Sequence, residues 1–179
     1  MSISIEQQIP TGTWTVDAVH STALFSVDHA AVGTFRGQFR KIDGGIEDGV
    51  LRGEVSLESL DVFDDNLKGH LLSPDFFDAE RNPKLTFAST GVRVDGEHVV
   101  VEGDFTLRGV TKRVEATGTI NGPLDLGDYG GTKLGIDLET SIDRTEFGLN
   151  WNAPLAGGKR MLGDDVTLSV HLELVPAEA

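Results

Sequence analysis

Apolar and polar residues alternate along most of this chain. On residues 51–57, Leu51, Gly53, Val55 and Leu57 share one face, with Arg52, Glu54 and Ser56 on the other. Residues 98–107 repeat the pattern with Val99, Val101, Gly103, Phe105 and Leu107, and residues 110–120 with Val110, Val114, Ala116 and Ile120. Leu134, Ile136, Leu138 and Ile142 continue it over 132–142, and Val166, Leu168, Val170, Leu172 and Leu174 over 165–175. Successive strand residues point to opposite faces, so the pattern predicts strands with one dry and one wet face, the habit of antiparallel sheets. Further strands are predicted at 13–18, 22–29, 34–41 and 84–94.

Turn signals separate these segments: Asp43-Gly44-Gly45, Asp48-Gly49, Asp95-Gly96, Arg108-Gly109, Asn121-Gly122-Pro123 and Gly130-Gly131. Many short strands with dispersed turns predict a sandwich or a barrel. One interruption stands out, at 60–83. There Ser73-Pro74-Asp75 predicts a helix start, with a favoured N-cap, a proline at the first helical position and an acid at the amide-rich end. Pro83 ends any such turn. Leu71, Leu72, Phe76 and Phe77 are then expected on one or two short helical turns lying on an apolar surface. Adjacent helical residues diverge by about 100°, so one of the two phenylalanines is expected to face an interior and the other to pack against a wall.

The dry face of the first half is rich in rings. Phe25 and Val27 share it with His29, and Phe35 and Phe39 flank Gly37. Phe87 and Phe105 occupy inward positions further on. An eight-stranded barrel is just wide enough to be filled by side chains or to hold one small ligand. Inward glycines at 37, 53, 103 and 118 either leave such room or merely let the strands bend.

Composition narrows the function. The 179 residues suit one domain, and 39% hydrophobic with 25% charged residues is the balance of a soluble globular protein. A formal charge of −14 argues against a nucleic-acid partner, which needs a basic face, and against anionic lipid surfaces. With no cysteine, disulfides and thiol catalysis are excluded. No segment approaches the roughly 20 apolar residues of a spanning helix, so no membrane insertion is expected. The N-terminus lacks a signal-peptide pattern, which predicts a cytoplasmic protein.

Catalytic and metal signals are weak. His20, His29, His70, His98 and His171 show no metal-ligand spacing, and no metal or cofactor is expected. His98 and His171 lie on polar strand faces. His20-Ser21 cannot form a catalytic pair if neighbours on a strand diverge, and no nucleophile elbow occurs. No catalytic residue is therefore assigned. The carboxylate pairs Asp64-Asp65, Asp75-Asp78 and Asp164-Asp165 fit turns and helix caps. Gly127 to Gly131 lacks the lysine and helix of a phosphate cradle. Trp14 with Asp17-x-x-His20 suits a structural cap at one barrel end or, through His20, a headgroup anchor. His29, on the phenylalanine face, needs a polar partner, either a ligand oxygen or a buried carbonyl.

Several runs together resemble the YceI-like family of polyisoprenoid-binding proteins. They are Trp14 with Asp17-Ala18-Val19-His20-Ser21, Phe25-Ser26-Val27-Asp28-His29, Gly37-Gln38-Phe39, and His70-Leu71-Leu72-Ser73-Pro74-Asp75-Phe76-Phe77-Asp78. Pro83 to Thr90, Gly103 to Lys112, Asp143-Arg144-Thr145-Glu146-Phe147-Gly148 and Gly163-Asp164-Asp165-Val166 extend the match, in order, to the last strand. Where family members often carry an arginine-aspartate pair before the His-Leu motif, this chain has Lys68-Gly69. The resemblance implies an all-β, lipocalin-like antiparallel barrel of about eight strands over residues 13–176, with an N-terminal extension at 1–12 and short helical segments near 62–82. It implies non-enzymatic carriage or storage of a long isoprenoid or fatty lipid in an apolar pore, and it allows a homodimer. The residues expected to line that pore are Phe25, Val27, His29, Phe35 and Phe39 from the early strands, and Leu71, Leu72, Phe76 and Phe77 from the roof. Phe87, Phe105, Phe147 and Trp151 are expected to join them. The competing functions are an enzyme using a histidine–carboxylate pair on an apolar substrate, and an empty interaction module.

Overall fold

The structure is a computed structural model describing residues 9–177. Its strands are β1 (Trp14–Val16), β2 (Thr22–His29), β3 (Gly33–Phe39), β4 (Ile42–Glu47), β5 (Val50–Ser56), β6 (Leu60–Asp61), β7 (Lys84–Asp95), β8 (His98–Leu107), β9 (Val110–Asp125), β10 (Thr132–Asp143) and β11 (Leu162–Pro176). One α-helix, α1 (Asp65–Leu72), precedes β7. All pairings are antiparallel. They run β1-β4-β5-β7-β8-β9-β10-β11, and β11 returns to β1, closing an eight-stranded barrel. Of the extension expected at 1–12, residues 1–8 lie outside the described residues; Ile9 packs into the core.

Two-residue turns make this meander compact. Asp48 and Gly49 both have positive φ (51° and 77°), as do Arg108 and Gly109 (52° and 74°), the backbone that matches the twist of tight hairpins. Two other turn expectations fail. Asp43-Gly44-Gly45 is inside β4, because a side chain on Gly45 would collide with the Trp14 carbonyl; the glycine allows β1 to lie close enough to pair. Asn121-Gly122-Pro123 is inside β9, where the register with β10 shifts between Lys133 and Gly135, and the reversal comes after Asp125. The pair forms a bulge that re-aims the hairpin rather than ending it.

β11 bonds β10 along its length but changes partner on its other edge. Leu174 to Pro176 pair with β1, whereas Val166 to His171 pair with β2. β2 then pairs β3, and β3 pairs β6, so a three-strand flap leaves the wall at one end. That divides the interior. At the other end, called here the floor, Ile46, Leu134, Ile136, Leu174 and Val101 are sealed among one another and beside Trp14. At the flap end, inward residues such as Leu85, Phe87, Val166, Leu168 and Val170 remain partly accessible although they face inside.

The segment between β6 and β7 crosses the flap end. Asp64 caps α1 by accepting from the Leu67 amide at 2.8 Å. Ser73 ends this helix instead of starting one: its Oγ donates to the His70 carbonyl at 2.6 Å. After it the chain coils back, with the Phe77 and Ala79 amides donating to the carbonyls of Leu71 and Leu72 at 3.0 Å each. Asp78 takes positive φ here. The expected second helix fails because Ser73 serves the helix before it. The roof is instead pinned from below, where Arg108 Nη1 on the β8–β9 turn donates to the carbonyls of Pro74 (2.6 Å) and Phe76 (2.8 Å).

Candidate functional site

Between roof, flap and barrel wall lies a cavity of about 250 Å³. β2 and β3 contribute Phe25, Val27, Phe35 and Phe39 from their inward face, the period-two set of the sequence. α1 and the coil after it contribute Leu67, His70, Leu71, Phe76 and Phe77. Leu162, Val166 and Leu168 come from β11, and Arg144, Leu149 and Trp151 from the connection before it. Every lining residue is apolar except His29, His70 and Arg144.

A second cavity of about 130 Å³ lies deeper and shares Phe39, Leu85 and Leu168 with the first. Phe87, Phe105, Val114, Ala116 and Leu172 wall it. Together the two reach the lower part of the roughly 300–1,000 Å³ span of small-ligand sites. From Leu162 to Leu172 the hollow follows β11 for about 30 Å of strand, at ~3.3 Å per residue.

The rings are held by edge contacts. Phe77 meets Phe25 and Phe39 edge-on, with centroids 6.1 and 5.8 Å apart. Phe76 instead packs on His70 (5.0 Å) and Trp151 (5.4 Å). Both phenylalanines therefore line the cavity. The expected division into one lumenal and one wall residue assumed a helix, and the chain here is a coil. Two other expected residues lie elsewhere. Leu72 packs against the core but not on either cavity, and Phe147 is buried behind Phe105, ring to ring at 5.5 Å. The inward glycines also divide. The Phe25 ring occupies the space beside Gly37, and the Phe87 ring that beside Gly103. Nothing lies within 4 Å of where a Cβ on Gly53 would stand, and Gly53 borders the deeper cavity.

His29 is exposed at the mouth rather than buried, since β2 leaves the barrel there, and solvent can satisfy it. His70 sits on the rim with Nε2 3.0 Å from Asp75 Oδ2. His20 is remote from the cavity. Its Nδ1 lies 2.7 Å from Asp17 Oδ2, and Lys133 Nζ donates to Asp17 (3.1 Å) and Glu173 (2.7 Å). The hydrogen bond with His20, aided by Lys133, lowers the Asp17 pKa to about 2. Asp17, His20 and Glu173 could offer three ligand atoms within 4.8 Å of one another. The Lys133 ammonium already serves both carboxylates, so this cluster fits a brace between the β1–β2 bend, β10 and β11 better than a metal centre.

The alternation missed Arg144. It follows Asp143, the last residue of β10, and opens a short 3-10 turn, and its side chain is only 4% exposed. Nε donates to the Gly163 carbonyl (2.8 Å), and Nη1 to those of Leu149 (2.6 Å) and Trp151 (2.9 Å). Burial pushes the guanidinium pKa below its ordinary value. An arginine within the Asp143-to-Gly148 motif was the signal that could have singled it out.

The model of the YceI-like domain matches residues 14–174. A "UPF0312 protein" of Staphylococcus aureus (strain bovine RF122 / ET3-1) is 31% identical over 176 residues, spanning 92% of this chain and 98% of that protein. Among solved structures, BcnA of Burkholderia cenocepacia superposes with a TM-score of 0.70 at 21% identity, over 88% of this chain and 98% of its own. A polyisoprenoid binding domain from Saccharophagus degradans gives 0.71 at 16% identity, over 92% and 98%. The closed barrel and the domain-long match agree: the chain belongs to the YceI-like family.

Proposed function

We propose that the hollow binds one long apolar ligand, an isoprenoid or related lipid, and that the protein carries or stores it without transforming it. The observation that carries this reading is the pair of adjoining cavities whose inner surface is almost wholly apolar, inside a barrel whose floor is packed shut. Burying apolar surface is the main driving force available there, worth about 0.8 kcal/mol per methylene. The solved relative described as a polyisoprenoid binding domain supports the ligand class. Among the described residues no helix is long and apolar enough to cross a membrane.

One feature favours a second reading. His70 and Asp75 form a histidine–carboxylate pair at the rim, and His70 borders the hollow, which is the minimum for general acid–base work. Mass spectrometry of an organic extract from purified protein separates the readings. Recovered lipid that stays unchanged on incubation supports carriage. Conversion that stops in His70→Gln supports the enzyme. An extract free of lipid, with no uptake of added lipid, contradicts both.

A further inference from the structure

The polar groups of the hollow differ in how well the protein satisfies them. His29 and His70 face solvent at the mouth, and His70 has Asp75. Arg144 is buried, and its Nη2 finds no hydrogen-bond acceptor among the described residues. The nearest carboxylate, Asp164, stands 3.8 Å away. Both Asp164 oxygens are committed to Arg160, whose Nη1 and Nη2 donate to Oδ1 and Oδ2 at 3.0 and 2.8 Å. Asp143, the other acid beside Arg144, accepts from the Thr145 amide (2.9 Å) and hydroxyl (2.6 Å). Three backbone carbonyls hold the rest of the guanidinium in place.

A buried donor without a partner is costly, more so on a charged group, and calls for an explanation. A packing role for Arg144 is met by its bonds to the 149, 151 and 163 carbonyls, which tie the β10–β11 connection to the barrel. Those bonds leave Nη2 over. Arg144 also borders the hollow next to Leu149 and Trp151, where the lining is apolar apart from His29 and His70.

Building on the lipid-binding reading above, we propose that Arg144 anchors the polar end of the ligand inside the barrel. The hollow thereby selects a lipid whose end presents an oxygen that accepts without donating, a carbonyl or a carboxylate. An arginine cannot accept a hydrogen bond. An amine or ammonium head would meet a like-charged donor, and an alcohol would bring a hydrogen that needs its own acceptor. A bare hydrocarbon would leave Nη2 as it is. Asp164, though committed to Arg160, lowers the net charge near Arg144, so a carboxylate need not outrank a ketone.

The test is competition against a fluorescent lipid by one tail carrying five ends: hydrocarbon, alcohol, primary amine, methyl ketone and carboxylate. The ketone and the carboxylate are expected to bind at least ~10-fold more tightly than the hydrocarbon, the scale of a hydrogen bond to a charged group, with the amine weakest. Arg144→Met is expected to abolish the advantage of the ketone and the carboxylate over the hydrocarbon, whatever the common level of affinity. The wild-type series decides even if that variant fails to fold. Equal binding of hydrocarbon, ketone and carboxylate overturns the anchor but leaves lipid binding standing. An advantage of the ketone or the carboxylate over the hydrocarbon that persists in folded Arg144→Met also overturns it, by placing the reading elsewhere. Failure of all five ends to compete removes the lipid-binding reading itself.

Discussion

The walls of the floor and of the flap end of this barrel both carry aliphatic residues in period-two order, yet one end is solid and the other hollow. Leu134, Leu174 and Ile46 at the floor are sealed, whereas Val166, Leu168 and Leu85 at the flap end remain accessible from inside. Side-chain chemistry does not distinguish these aliphatic positions. Strand pairing does. At the floor β11 bonds β1 and the ring closes tightly; further along it bonds β2, which leads outward into the flap. The gap is spanned by α1 and its coil, whose rings lie over the space rather than filling it.

The same substitution made at the two ends should have different costs. Leu134→Ala should cost roughly 2–5 kcal/mol, since it opens a cavity in a close-packed region. Leu168→Ala enlarges a space already open, so its cost should stay nearer the transfer term of about 2 kcal/mol or below. Denaturant midpoints measure both, and equal losses would mean that the flap end is as tightly packed as the floor. Lipid affinity should move the other way, falling for Leu168→Ala and holding for folded Leu134→Ala.

Phe77→Asp tests the roof. A charge placed against Phe25 and Phe39 should remove most lipid binding, while the strand ladders, to which Phe77 does not belong, keep the barrel closed by circular dichroism. A loss of stability comparable to that of Leu134→Ala would assign Phe77 to the core. Gly53→Leu sharpens the boundary of the hollow. Its side chain would enter open space, so stability should change by less than about 1 kcal/mol while the deeper cavity shortens and longer tails lose their advantage.

An effect confined to low pH belongs to the floor-side brace. The Asp17 carboxyl is held near a pKa of about 2, below its ordinary 3.8, chiefly by His20 and Lys133. A depressed carboxyl stabilises the fold at pH values above its unfolded pKa and loses that contribution as pH falls through the folded one. Asp17→Asn should therefore flatten the acid limb between pH 4 and 2 by about 1 kcal/mol after allowing for solvent screening. An unchanged acid limb would show that the brace contributes nothing to stability.

The strands were legible because alternation records which face is dry. Two-residue turns were legible because Asp48-Gly49 and Arg108-Gly109 admit positive φ. Whether the dry face encloses atoms or space was not, because Leu134 and Leu168 occupy equivalent places in their patterns and only long-range pairing separates them. Gly44-Gly45 looked like a turn because close backbone approach and chain reversal both call for glycine. Ser73 looked like an N-cap because the same hydroxyl can serve either end of a helix. Of the candidate site, the phenylalanines of β2 and β3 and the roof pair followed from periodicity and apolar clustering. Leu72 and Phe147 were misplaced, and Arg144 escaped notice because a charged residue at a strand end ordinarily faces water.

Whether the barrel is a hollow of finite depth is decided by competition of isoprenoid alcohols of increasing length against an environment-sensitive fluorescent lipid. Each added methylene is worth about 0.8 kcal/mol while it enters apolar space, and ordering a flexible tail offsets part of that gain. Affinity should climb with tail length, then level off once the tail reaches the sealed floor, with the plateau arriving earlier in Gly53→Leu. A flat response from the shortest to the longest tail would contradict such a hollow, since it would mean that no tail enters.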